Sequence, residues 1–151
     1  MDAIDVKILQ HLVQNARQKA SAISKEVNLS VSAVIERIHK MEESGVIRGY
    51  TVQLDQKRLG NDITAWIEVC LEHPRYYDAF VARAREMEHI MTCHYLTGDF
   101  DFMIYVAAES SEVLEAVHRQ IKSLDGVSST KTHFVLKAVK ENAWLLPKAD
   151  R

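Results

Sequence analysis

The spacing of apolar residues changes near the middle of the chain. Up to about residue 50 they recur every three or four positions; from residue 63 they alternate or return in short bursts. Ile4, Ile8, Leu9 and Leu12 predict a first helix. Ala22, Ile23 and Val27 give a short second helix one apolar side, with Ser21 placed to cap its start. Asn28 tolerates the left-handed conformation of a tight turn, and Leu29 can plug the corner that follows. Ser30 can cap a third helix, whose stripe is Val31, Val34, Ile35, Ile38 and Met41 and which Gly45 ends. The run VIRGYTVQLD then reads as a strand. A short helix, a tight turn, a longer helix and a strand make a winged helix-turn-helix, a form that places one helix in the DNA major groove.

The second half follows another plan. In ITAWIEVCLE, Ile67, Val69 and Leu71 alternate with Trp66, Glu68 and Cys70, as in a strand. Residues 75–88 read as a helix with Tyr77, Phe80, Val81, Ala84 and Met87 on its apolar side. IMTCHYL and FDFMIYVAA read as two strands meeting at a Gly98-Asp99 turn. Residues 111–124 form a helix with Val113, Leu114, Val117, Ile121 and Leu124 inward, and a last strand spans about 127–138. The order is βαββαβ, the ferredoxin-like arrangement. The expected fold class is therefore α+β. A winged helix-turn-helix domain covers 1–54, a polar linker 55–62, a ferredoxin-like domain 63–140 and a tail 141–151.

That topology puts both helices on one face of the sheet. Phe102, Ile104 and Val106 serve the helix side, so Met103 and Tyr105, joined by Trp66 or its neighbours, face the other way. A large apolar open face calls for a partner, and a homodimer with sheets face to face is expected. The competing reading is a monomer with scattered surface aromatics.

Charge sharpens the division. The net charge is −2. Residues 1–60 carry nine Lys/Arg against seven Asp/Glu, and residues 61–151 carry ten against fourteen. Positive charge leans toward the proposed DNA-binding half, but modestly, so attraction to phosphates should be local and salt-sensitive. With no signal peptide and no apolar run of 18 residues, a cytoplasmic protein without membrane contact is expected. Cys70 and Cys93 lack metal-like spacing and are expected reduced and buried.

The segments IDVKILQHLVQNAR, ISKEVNLSVSAVIERIHKMEESGVIRGY and YLTGDFDFMIYV resemble the Lrp/AsnC family of feast/famine transcriptional regulators. The resemblance runs in order over residues 2–140 and includes Ile4-Asp5, Asn15-Ala16-Arg17, Leu29-Ser30, Glu36-Arg37, Gly45-Val46-Ile47 and TGDFD. Departures are few: Asn15-Ala16 stands where Asp-Gly is common, Gln18 where an apolar residue is usual, and His39 where Arg or Lys is common. The resemblance implies a DNA-binding regulator, dimers that assemble into tetramers or octamers, and a small amino-acid effector bound at the TGDFD loop between dimers.

Two sets of site residues follow. On the third helix, Arg37 and Lys40 are placed to meet phosphates or bases, Ser30 and Ser32 to meet phosphate at the helix N-terminus, and Ala33 and Glu36 to touch base edges. In a two-fold dimer, two such helices would stand about 34 Å apart, one turn of DNA. At the loop, turn amides can receive an α-carboxylate, and Asp99 or Asp101 an α-ammonium. Gly98 allows close approach, and Leu96 and Thr97 would form walls. Thr130 and Thr132 are further candidates near this loop. For each helix position the alternative is an ordinary solvated side chain; for the loop it is a plain hairpin turn.

Catalysis is not expected. Cys93 and His94 are neighbours in a strand and point to opposite faces, and no HExxH, GxSxG, phosphate loop or Cys-x-x-Cys is present. No cofactor or metal is expected beyond the effector. The second functional reading is a ligand sensor whose winged domain binds protein in place of DNA.

Overall fold

The computed structural model describes residues 1–141 and 144–147. The chain divides into two compact units. One comprises Met1–Gln53 with the described residues from Lys140 on; the other is Leu54–Val139.

In the first unit, α1 (Ala3–Gln14) starts at a reciprocal cap. Asp2 accepts from the Ile4 and Asp5 amides, both at 2.9 Å, and Asp5 accepts from the Asp2 amide at 2.8 Å. Helix α2 (Ala20–Val27) begins two residues earlier than Ser21 as its cap would set it. Lys19 is its N-cap residue, with no side-chain cap. Asn28 takes the left-handed conformation at φ 54°, and Ser30 caps α3 (Val31–Glu43) by accepting from the Ala33 amide at 3.2 Å. Gly45, at φ +74°, closes that helix, and the Ile47 amide turns back to the Met41 carbonyl at 2.9 Å.

The three-helix core is Ile8, Leu9, Ile23, Val27, Val34 and Met41, with Leu12, Leu29, Ile38 and Leu146 packed against it. Two residues of the expected stripe do not join it: Val31 is 41% and Ile35 54% exposed. The inward row is Val34, Ile38 and Met41, spaced 4 and 3. Ile35 lies about 100° around the helix from Val34, beyond the width that two short helices can cover. The expected strand after Gly45 is also absent. Val46, Tyr50, Val52 and Leu54 are exposed, and the segment has no ladder partner among the described residues. A strand needs a neighbour for its amides and carbonyls, and alternation alone does not supply one.

In the second unit the order is β1 (Ile63–Leu71), α4 (Tyr77–Glu86), β2 (Ile90–Tyr95), β3 (Phe102–Ala108), α5 (Ser111–Lys122) and β4 (Val127–Phe134). The sheet is antiparallel in the order β2-β3-β1-β4, the ferredoxin-like arrangement. Its helix side carries Ala65, Ile67 and Val69 of β1 and Phe102, Ile104 and Val106 of β3, all buried with Phe80, Leu114, Val117 and Ile121. Ser110 caps α5 by accepting from the Val113 amide at 3.3 Å. On the other face Trp66 and Tyr105 are register partners with ring centroids 4.8 Å apart. Glu68 there accepts from His133 at 2.8 Å. Strand β4 ends at Phe134, short of residue 138.

Among the described residues no helix is long and apolar enough to cross a membrane, and no group of three or more His, Cys, Asp or Glu is placed to hold a metal. The cysteines are free, but not buried as expected: Cys70 is half-buried and Cys93 exposed. Cys93 lies on β2, an edge strand with a single neighbour, β3.

Candidate DNA-reading helix and effector loop

The turn at Asn28 and the cap at Ser30 set α3 so that Val34, Ile38 and Met41 face inward. Its outer side then presents Ser32, Ile35, Glu36, His39, Lys40 and Glu43, all exposed. The charges on this side are largely paired within the helix. Lys40 meets Glu36 at 2.7 Å, and that hydrogen bond, with the lysine charge, holds the Glu36 carboxyl below its usual range. His39 lies 3.4 Å from Glu43. Ser30 spends its acceptor on the helix cap and lies 3.0 Å from the Ser32 hydroxyl, while Ala33 is half-buried. Tyr50, exposed over half its surface, donates to Glu42 at 2.7 Å; partial desolvation first and that bond second push its phenol up to about 12.

Arg37 departs most from expectation. Its guanidinium reaches Asp2 at 2.7 Å and Asp5 at 2.6 Å, the two carboxylates of the α1 cap. Hydrogen bonds to these acids raise its pKa further. Asp2 is in turn held below the usual carboxylate range, first by the Asp5 amide and then by Arg37. In this arrangement Arg37 Nη1 ties α3 to α1.

The second candidate is Leu96–Asp101, between β2 and β3. It is a six-residue loop and not the tight turn expected at Gly98-Asp99. The end of β1 holds it open. The Asp101 amide donates to the Val69 carbonyl at 3.0 Å, and the Asp101 carboxylate accepts from the Leu71 amide at 2.7 Å. The β1–β4 register slips between Cys70 and Leu71, where that carboxylate takes up the amide. The Leu96 amide donates to the Asp101 carbonyl at 2.9 Å, and the Cys70 thiol points to the Asp99 carbonyl at 3.6 Å. Leu96, Thr97, Gly98 and Asp99 are exposed, and Gly98 sits at φ +134°. Asp101 is therefore a strut as well as a candidate for an ammonium, while the Asp99 side chain stands open. Thr130 and Thr132 pair with Val69 and Ile67 on the helix side of the sheet, and the Thr130 hydroxyl lies 2.9 Å from His118 Nε2.

Beside this loop is a cleft of about 320 Å³ between α4 and β2, walled by Tyr77, Val81, Arg85, Cys93, Tyr95 and Phe102 among others. The Tyr77 ring meets those of Tyr95 and Phe102 at 5.0 and 5.5 Å. Cys93 is exposed as a residue, but partial desolvation of its thiol beside the cleft pushes it up. The aromatic spacing in the sequence suggested core, and the cleft follows only from how α4 and β2 are placed in the fold.

Comparison with known proteins agrees with this geometry. Residues 1–42 match the AsnC-type helix-turn-helix domain, and residues 64–145 match the Lrp/AsnC ligand-binding domain. An uncharacterised HTH-type transcriptional regulator of Pyrococcus horikoshii is 34% identical over 97% of this chain and 99% of its own. The leucine-responsive regulatory protein of Haemophilus influenzae is 32% identical over 98% of this chain and 91% of its own. Among solved structures, a Neisseria meningitidis transcriptional regulator in complex with L-methionine superposes with a TM-score of 0.91 at 28% identity, covering 96% of each chain. With its reading helix and its βαββαβ sheet both matched in order along one chain, this protein belongs to the Lrp/AsnC family of transcriptional regulators.

Proposed function

We propose that this protein is a cytoplasmic, sequence-specific DNA-binding regulator whose DNA binding or assembly responds to a small amino acid. The observation that carries the reading is the outward side of α3, capped and exposed, in a chain that matches the family over both of its domains. Ser30, Ser32, Ala33, Glu36 and Lys40 are the proposed contacts, with Arg37 acting through the position of α3. The open sheet face around Trp66, Met103 and Tyr105 is the proposed homodimer surface, and higher assembly is expected from the family. Leu96, Thr97, Gly98, Asp99 and Asp101 form the proposed effector loop. L-Methionine is the first probe, because a solved relative is described in complex with it.

The test is a titration of the full chain onto DNA from just upstream of its own reading frame. It is run at two salt concentrations, with and without L-methionine or a mixture of the twenty amino acids. Salt-sensitive binding that changes with amino acid supports the proposal. Binding indifferent to every amino acid removes the effector loop from it. Absence of binding at either salt, on both this DNA and a random duplex pool, overturns it.

A further inference from the structure

The charges on the outer side of α3 are paired, the exposed Lys40–Glu36 pair only weakly. Among the described residues, Lys40 is paired with Glu36, His39 with Glu43, and Arg37 with the α1 cap. Reading a base by an arginine or lysine is the commonest specific contact in the major groove, and here it would first have to break one of these pairs. Among the side chains the helix exposes, two are large and apolar. Ile35 and Val31, one turn apart, are 54% and 41% exposed, and both lie outside the core the helix covers. Ile35 is continuous with the proposed DNA-facing side through Ser32, one turn before it, and His39, one turn after. The major groove presents one apolar feature that tells bases apart, the C5-methyl of thymine, and aliphatic side chains read it by contact.

We infer that Ile35, with Val31 beside it, reads thymine methyl groups in the major groove and sets the sequence preference of this protein. The inference rests on the DNA-binding reading above. Thymine in each half-site is then specified by burial of a methyl group. Glu36 is left to accept from a cytosine amino group or to remain in water.

The test is a change of one methyl group on the DNA. Duplexes are enriched from a random pool by the full-length protein, and each thymine of the enriched site is replaced singly by deoxyuridine. At one position or more per half-site the loss should be about fourfold in affinity, the value of burying one methyl group. Ile35→Ala should bind thymine and deoxyuridine alike at that position, and Ile35→Val should restore part of the difference. Ile35 is exposed, so neither variant should disturb folding. Deoxyuridine without effect at every position overturns the inference and points to a protein partner on this face. An equal loss in wild type and Ile35→Ala overturns it as well. A pool with no enriched sequence overturns it together with sequence-specific recognition.

Discussion

The outer side of α3 and the loop between β2 and β3 are held in opposite ways. On α3 the backbone is engaged in a capped helix, and side chains are sorted by their partners: Arg37 to α1, Lys40 to Glu36, and Ile35 to none among the described residues. At Leu96–Asp101 the backbone itself is shaped from outside, by β1, through the Asp101 amide and carboxylate. A helix site is thus defined by the side chains its own fold leaves uncommitted. A loop site is defined by where a neighbouring strand places its amides. Substitutions should act on side-chain chemistry in the first case and on local geometry in the second.

The largest expected effect tests whether glycine geometry matters equally across the sheet domain. Gly126, at φ +82°, lies under the Tyr76 ring, where an added Cβ would come within 2.1 Å of it. Gly98 also has a positive φ, but an added Cβ there meets nothing within 4 Å. Gly126→Ala should cost about 2–4 kcal/mol, overpacking adding to backbone strain. Gly98→Ala should cost only about 1 kcal/mol and act chiefly on effector response. Denaturant unfolding of both variants checks the order; equal losses would remove the distinction.

Next come the two acids of the loop. Asp101→Ala strands the Leu71 amide and should destabilise the domain by about 1–3 kcal/mol. Asp99→Ala should leave stability and basal DNA binding unchanged while abolishing the response to amino acid. A stable Asp101→Ala variant would mean that β1 does not shape the loop.

The smallest effect concerns α3. Asp2's carboxyl is held below its ordinary value of 3.8, so its contribution to stability is full above that pH and is lost as pH falls through the lower folded value. Arg37→Ala should flatten part of this acid limb below about pH 4, seen as loss of helical signal, and Lys40→Ala should not. On DNA, Lys40→Ala should reduce the salt slope by about one counterion if the lysine leaves Glu36 for a phosphate. An unchanged slope would place Lys40 outside the interface.

Much was legible in the chain. Asn28, Ser30 and Gly45 marked the turn, cap and stop of the reading helix because each acts on backbone within a few residues. The alternation through Ile67 and Val69 marked a strand with one covered face, and the order of elements indicated the ferredoxin-like sheet. The length of the β2–β3 loop was not legible. A Gly-Asp pair between two strands looks the same whether or not another strand takes hold of Asp101.

The sequence by itself determined the helices and the four sheet strands, though not the absence of a strand after Gly45, and which side of most of them is apolar, since period and capping are local properties. Only the tertiary structure decided what those sides meet. Arg37 finds Asp2 and Asp5 across 35 and 32 residues, and Asp101 finds Leu71 across 30. Ile35 has the residue type of the core and stays outside it, because the two helices packed against α3 cover a stripe narrower than the one its sequence offers.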